Sequence, residues 1–166
     1  MIYPGLPEDQ AVLAAIGKIA VRHGQLDHAL KMAVRSLAGV TIAEAENATA
    51  RQGSSQLRER VRKLARKRLG ESEALIRLEA ILERSRRATD KRNDLLHAVW
   101  AYELDVGPVV RTEGTEFGPI PTAAELEAVA NDLDQIMKDL NSARLDGFLR
   151  DALAIAVAPR RAERQE

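Results

Sequence analysis

The 166-residue chain contains no cysteine, which excludes disulfide bonds, thiol catalysis and thiolate-ligated zinc and fits a reducing compartment. Aromatic residues are scarce. Tyr3, Trp100, Tyr102, Phe117 and Phe148 are the whole set, so the hydrophobic core must be aliphatic. With three histidines, no glycine-rich phosphate loop and no acid or histidine cluster at metal-ligand spacing, neither a metal nor an organic cofactor is expected. No stretch approaches the roughly 20 apolar residues of a membrane span. The N-terminus from Met1 to Asp9 lacks the basic start and apolar core of a signal peptide. These absences predict a cytoplasmic protein with no membrane partner. The length fits one helical domain over residues 1–158, followed by a polar tail at 159–166.

Net charge is also absent, with 25 basic and 25 acidic side chains, but the signs are segregated. Residues 1–50 carry 4 basic and 5 acidic groups, 51–92 carry 14 and 6, and 93–166 carry 7 and 14. Concentrated positive charge attracts polyanions whatever the global balance. The same pattern also fits a basic helix neutralised beside an acidic C-terminal one.

What is present is helical periodicity. Leu13, Ile16, Ile19, Leu26, Leu30, Val34 and Leu37 line one face of a first helix over about 7–37. Glu8 and Asp9 suit its positive end and Gly39 its stop. Thr41-Ile42-Ala43-Glu44 is a capping box for a short second helix. A third helix, capped by Ser54 or Ser55 and closed by Gly70, sets Arg58, Arg60, Arg62, Lys63, Arg66, Lys67 and Arg68 against Glu59 alone. A fourth starts near Ser72 and continues to about Val99. Between Trp100 and Pro121 the period changes, and Asp105-Val106-Gly107-Pro108 predicts the turn of a short β-hairpin. Thr122-Ala123-Ala124-Glu125 then opens one final long helix that includes Phe148 and Leu149. The predicted fold class is all-α, a four-to-five-helix bundle with a short β-hairpin between the last two long helices.

The fourth helix closes on Arg92-Asn93-Asp94-Leu95-Leu96-His97. Residues three and four apart are helix neighbours, so Asn93, His97 and Trp100 are expected on one face, with Arg92 one step around. Arg92 continues the apolar stripe, where a charged head needs a cleft or a subunit boundary. A permanently charged guanidinium beside a titratable imidazole suits phosphate chemistry. Arg grips phosphate oxygens and His moves protons near neutral pH. RNA carries its own nucleophile, the 2′-hydroxyl, so cleavage needs no metal. Arg92 would clamp the phosphoryl group, His97 would handle a proton on the 2′- or the 5′-oxygen, and Asn93 would orient one of them.

Arg-Asn-x-x-x-His near the end of a long helix resembles the hallmark of the HEPN superfamily (higher eukaryotes and prokaryotes nucleotide-binding). The resemblance covers roughly 7–158 in architecture, but its specific part is Arg92, Asn93 and His97. It implies a HEPN-like bundle and a metal-independent endoribonuclease, often a toxin or an anti-phage defence effector, leaving a 2′,3′-cyclic phosphate and a 5′-hydroxyl. It further implies RNA as substrate, a homodimer with the motif at the interface, and an antitoxin or defence-system partner protein. Members that have lost activity serve instead as non-catalytic interaction or nucleotide-binding subunits.

Other residues join the site as candidates. His23 and Asp27, one turn apart on the first helix, form a pair of the kind that orients an imidazole. Arg86, seven positions before Asn93, and Lys91, next to Arg92, are candidates for substrate phosphate, and Trp100 for stacking on a base. The Arg58–Arg68 run lacks interleaved aromatics, so binding there would be backbone electrostatics.

Overall fold

Most helix starts carry a side chain that accepts from the first amides, as a computed structural model describing residues 1–112 and 114–157 records. Asp9 Oδ1 accepts from the amides of Ala11 and Val12 at 2.8 and 3.3 Å, so α1 runs Gln10–Ala38. The helix thus starts after Pro7, because Asp9 takes the capping position. Thr41 and Glu44 form a reciprocal capping box on α2, Ile42–Thr49. Gly53, rather than either serine, caps α3, Ser54–Leu69; its amide donates to Gln56 Oε1 at 3.2 Å. Gly70 closes that helix at φ 58°, a conformation that favours glycine. Ser72 Oγ accepts from the Leu75 amide at 3.2 Å at the start of α4, Glu73–Leu96.

Strand β1, Ile2–Pro4, precedes α1, and β2 (Val99–Glu103), β3 (Gly107–Arg111) and β4 (Gly118–Pro119) follow α4. They form one antiparallel four-stranded sheet in the order β1-β2-β3-β4. The expected hairpin is β2–β3, with Tyr102 opposite Pro108 and Trp100 opposite Val110. The expected helical bundle thus stands in its coarse form, and the short hairpin is part of a larger, four-stranded sheet. Ile2, Tyr3 and Pro4 pair with Glu103, Tyr102 and Ala101; three residues are too few to show a strand period.

The final helix is also two helices, α5 (Ala123–Leu145) and α6 (Phe148–Val157). Gly147 sits at the break, where a Cβ would lie 3.0 Å from the Ser142 carbonyl oxygen. A side chain there would crowd that carbonyl and the Ala143 Cα at 3.2 Å, so glycine suits the break. The polar tail expected over 159–166 lies outside the described residues.

The chain forms two compact units. The first combines Met1–Gly24 with Arg87–Asp134, and the second combines Gln25–Arg86 with the chain from Gln135 onward. In the first, Val12, Ile19, Ala88, Ala101, Val109, Leu126 and Leu133 are buried, and Lys18 and Arg22 of α1 pair with Glu127 and Asp134 of α5. In the second, Leu30, Leu37, Leu57, Val61, Leu78, Leu82, Leu140 and Leu149 form one aliphatic cluster. Each such leucine contributes about 1.5–3 kcal/mol by burial. Arg84 of α4 pairs with Asp139 of α5 at 2.6 Å. Arg62 and Arg66 of α3 meet Glu59 and Glu79 at 2.6 and 2.8 Å, so these two basic groups find carboxylates on α3 and α4. Among the described residues no helix is long and apolar enough to cross a membrane.

Candidate functional site

The apolar stripe of α4 explains the position of Arg92. Leu78, Leu82, Ser85, Ala88 and Thr89 on that stripe are buried, and Arg92 follows at the next helical step. Its side chain is half-buried. Nη1 donates to Asn93 Oδ1 at 2.9 Å, while Nε is shielded from solvent and has no acceptor among the described residues. A buried donor without a partner costs about 1–3 kcal/mol. An incoming oxyanion would therefore meet the guanidinium at its Nη groups, which make no bond beyond the one to Asn93 among the described residues.

His97 is the first residue past the helix. Its amide closes the last turn on the Asn93 carbonyl at 2.9 Å, and its side chain is exposed. Asn93 therefore touches both partners, holding the Arg92 guanidinium through its side chain and the His97 backbone through its carbonyl. Among the described residues the His97 imidazole makes no hydrogen bond or ion pair.

α4 ends at Leu96, three residues before the expected stop, which corrects the placement of Trp100. Val99-Trp100-Ala101-Tyr102 is β2, so Trp100 does not stack on a helical face with Asn93 and His97. β-branched and aromatic residues favour the strand here. Trp100 nevertheless returns to the helix end, because its Nε1 donates to the Leu95 carbonyl at 3.1 Å. This bond satisfies one of the orphan carbonyls of α4 and ties the sheet to the motif.

The remaining candidates are less closely gathered. Lys91 is exposed beside Arg92. Arg86 is held by Glu83, with Nη2 at 2.8 Å and Nε at 3.0 Å from its carboxylate oxygens. His23 is 8% exposed and Asp27 half-buried, and both have partners of their own. Among the described residues no group of three or more His, Asp or Glu side chains is placed to hold a metal.

Sequence reasoning missed one neighbour of the motif. Arg111 pairs in register with Val99, two residues after His97, and its guanidinium lies 5.1 Å from the Phe117 ring centroid. Only the strand pairing brings it near the motif. Comparison of the chain with protein-family models, curated proteins and solved structures returned no match.

Proposed function

We propose that the chain is a metal-independent endoribonuclease of the HEPN type, with Arg92 and His97 as its reactive pair. The observation that carries this reading is the state of Arg92. Its side chain is half-buried and held by Asn93 through Nη1, while an exposed imidazole stands five residues on, just past the helix end. A guanidinium in that state is poised for a phosphate, whose oxygens accept in the geometry of the fork.

The reaction follows from these groups. The 2′-oxygen attacks the adjacent phosphorus as its proton leaves, the bond from phosphorus to the 5′-oxygen breaks, and that oxygen takes up a proton. His97 carries one of these transfers. Arg92 stabilises the charge that develops on the phosphoryl oxygens. Asn93 orients Arg92. The partly shielded Arg92 suits a cleft completed by a second copy, so a homodimer with the motif at its interface is part of the proposal. A toxin or defence role, with an antitoxin-like partner, follows from the family resemblance.

The test is incubation of the purified protein with varied RNAs in excess EDTA. Cleavage leaving 2′,3′-cyclic phosphate and 5′-hydroxyl ends supports the reading, and intact RNA across the set refutes it. A second reading, a non-catalytic helical interaction subunit, draws on a cavity of about 810 Å³ against α3, lined by Arg60, Lys63 and Lys67 among others. In that case charge reversal at Lys63 and Lys67 disrupts complex formation and His97→Ala changes nothing.

A further inference from the structure

The basic excess of residues 51–92, 14 positive groups against 6 negative, is neutralised unevenly around α3. The helix turns Leu57, Val61 and Ala65 into the aliphatic cluster. Arg62 and Arg66 lie outside that face and are held by Glu59 and Glu79. Arg60, Lys63 and Lys67 follow one another at steps of three and four residues, so they form a separate stripe, about 10 Å long on the helix axis. Nη1 of the half-buried Arg60 donates to the Ala48 carbonyl of α2 at 2.8 Å, which fixes the guanidinium but leaves its charge. Lys63 and Lys67 are exposed and make no hydrogen bond or ion pair among the described residues.

These three cations line a cavity of about 810 Å³ together with Gln52, Ser55 and Gln56. Its carboxylate, Glu59, is already engaged by Arg62 at 2.6 Å. Leu64 is its one apolar side chain among the described residues and is half-buried. Protein partners usually seat aromatic or aliphatic anchors at the centre of an interface, where lysine is depleted. A row of lysines without such an anchor suits instead a partner held by charge alone. A phosphate backbone is such a partner, because each neutralised phosphate releases a counterion. No aromatic ring among the described residues lines the cavity, so bases have nothing to stack on and their sequence is not read.

We propose that the Arg60, Lys63 and Lys67 stripe of α3 is a docking surface for the phosphate backbone of a nucleic acid, bound without regard to sequence. The lysines supply point charges and Arg60 a fixed fork. The stripe belongs to the second unit alone, and its role does not depend on the ribonuclease reading. An acidic protein is the competing occupant.

The experiment follows the fluorescence anisotropy of a labelled 2′-O-methyl oligouridine, which cannot be cut, over a series of salt concentrations. The expected result is an affinity that falls linearly with salt on logarithmic axes. The slope is expected to flatten by about 0.7 in Lys63→Gln and by as much in Lys67→Gln, one phosphate contact each. Arg66→Gln removes the same charge from a group already paired with Glu79, and is expected to leave the slope near that of wild type. Urea midpoints confirm that each variant is folded. Absence of binding at low salt overturns the proposal, as does a slope that the lysine variants leave unchanged or that Arg66→Gln flattens equally. Polyglutamate that displaces the oligonucleotide at equal charge concentration assigns the stripe to an acidic protein and overturns it too. Because the probe cannot be cut, these outcomes are separate from the catalytic reading, which cleavage of all-ribose RNA tests.

Discussion

Asn93 Oδ1 accepts a hydrogen bond from Arg92 Nη1 at 2.9 Å, and the carbonyl of the same asparagine accepts the His97 amide at 2.9 Å. One residue thus fixes the guanidinium with its side chain and the start of the histidine with its backbone. Only the first of these contacts can be removed by substitution.

A hydrogen bond to a charged group contributes about 1.5–3 kcal/mol, or roughly ten- to hundredfold in rate. Asn93→Ala is expected to lower kcat/KM for RNA cleavage within that range, measured on a fluorogenic oligonucleotide. Arg92→Lys is expected to lose at least as much, because an ammonium is a point charge without the planar fork.

Leu82 is fully buried within the aliphatic cluster of the second unit. Leu82→Ala is expected to cost about 2–5 kcal/mol, seen as a lower urea midpoint. His97→Ala removes an exposed side chain and is expected to stay within about 0.5 kcal/mol of wild type in the same experiment.

Glu44 and Glu125 have carboxyls held below their ordinary value of 4.5. The cause is the same in both, first the amide and then the hydroxyl of Thr41 and Thr122, each bonding the charged form. A lowered folded value means the stabilisation is complete above the unfolded value and is lost as pH falls through the folded one. Fraying at the starts of α2 and α5 is therefore expected on acidification below about pH 4.5, with faster amide exchange as the measurement. Glu44→Gln and Glu125→Gln should each remove that pH dependence at their own helix.

Arg144 has its pKa lowered, first by burial and then by the charge of Arg35. Both effects disfavour the charged side chain, although its Nε bond to Asn141 Oδ1 at 3.0 Å offsets part of the cost. Arg144→Gln is expected to raise Tm, with a smaller gain at high salt, where repulsion between the two arginines is screened.

The helices were legible wherever caps and period agreed. Thr41 with Glu44 and Thr122 with Glu125 mark helix starts that the structure keeps to the residue. The end of α4 was not legible, because Leu95 and Leu96 continue the helical stripe and nothing before Val99 signals a stop. The break at Gly147 depends on a backbone approach to Ser142 that no local pattern encodes. At the candidate site, Arg92, Asn93 and His97 could be named from their spacing, but the Arg92–Asn93 bond could not. Arg111 reaches the neighbourhood only through strand register, which is a long-range property.

In the proposed reaction His97 moves a proton during attack by the RNA 2′-hydroxyl. The most direct test follows cleavage of one mapped site by wild type and by His97→Ala, with all-ribose RNA and with a single 2′-deoxy substitution at the scissile nucleotide. The expected result is a rate loss of about 10²–10⁴-fold in His97→Ala and no cut by either protein at the deoxy position. Undiminished cleavage by His97→Ala, or cutting at the deoxy position, would contradict it.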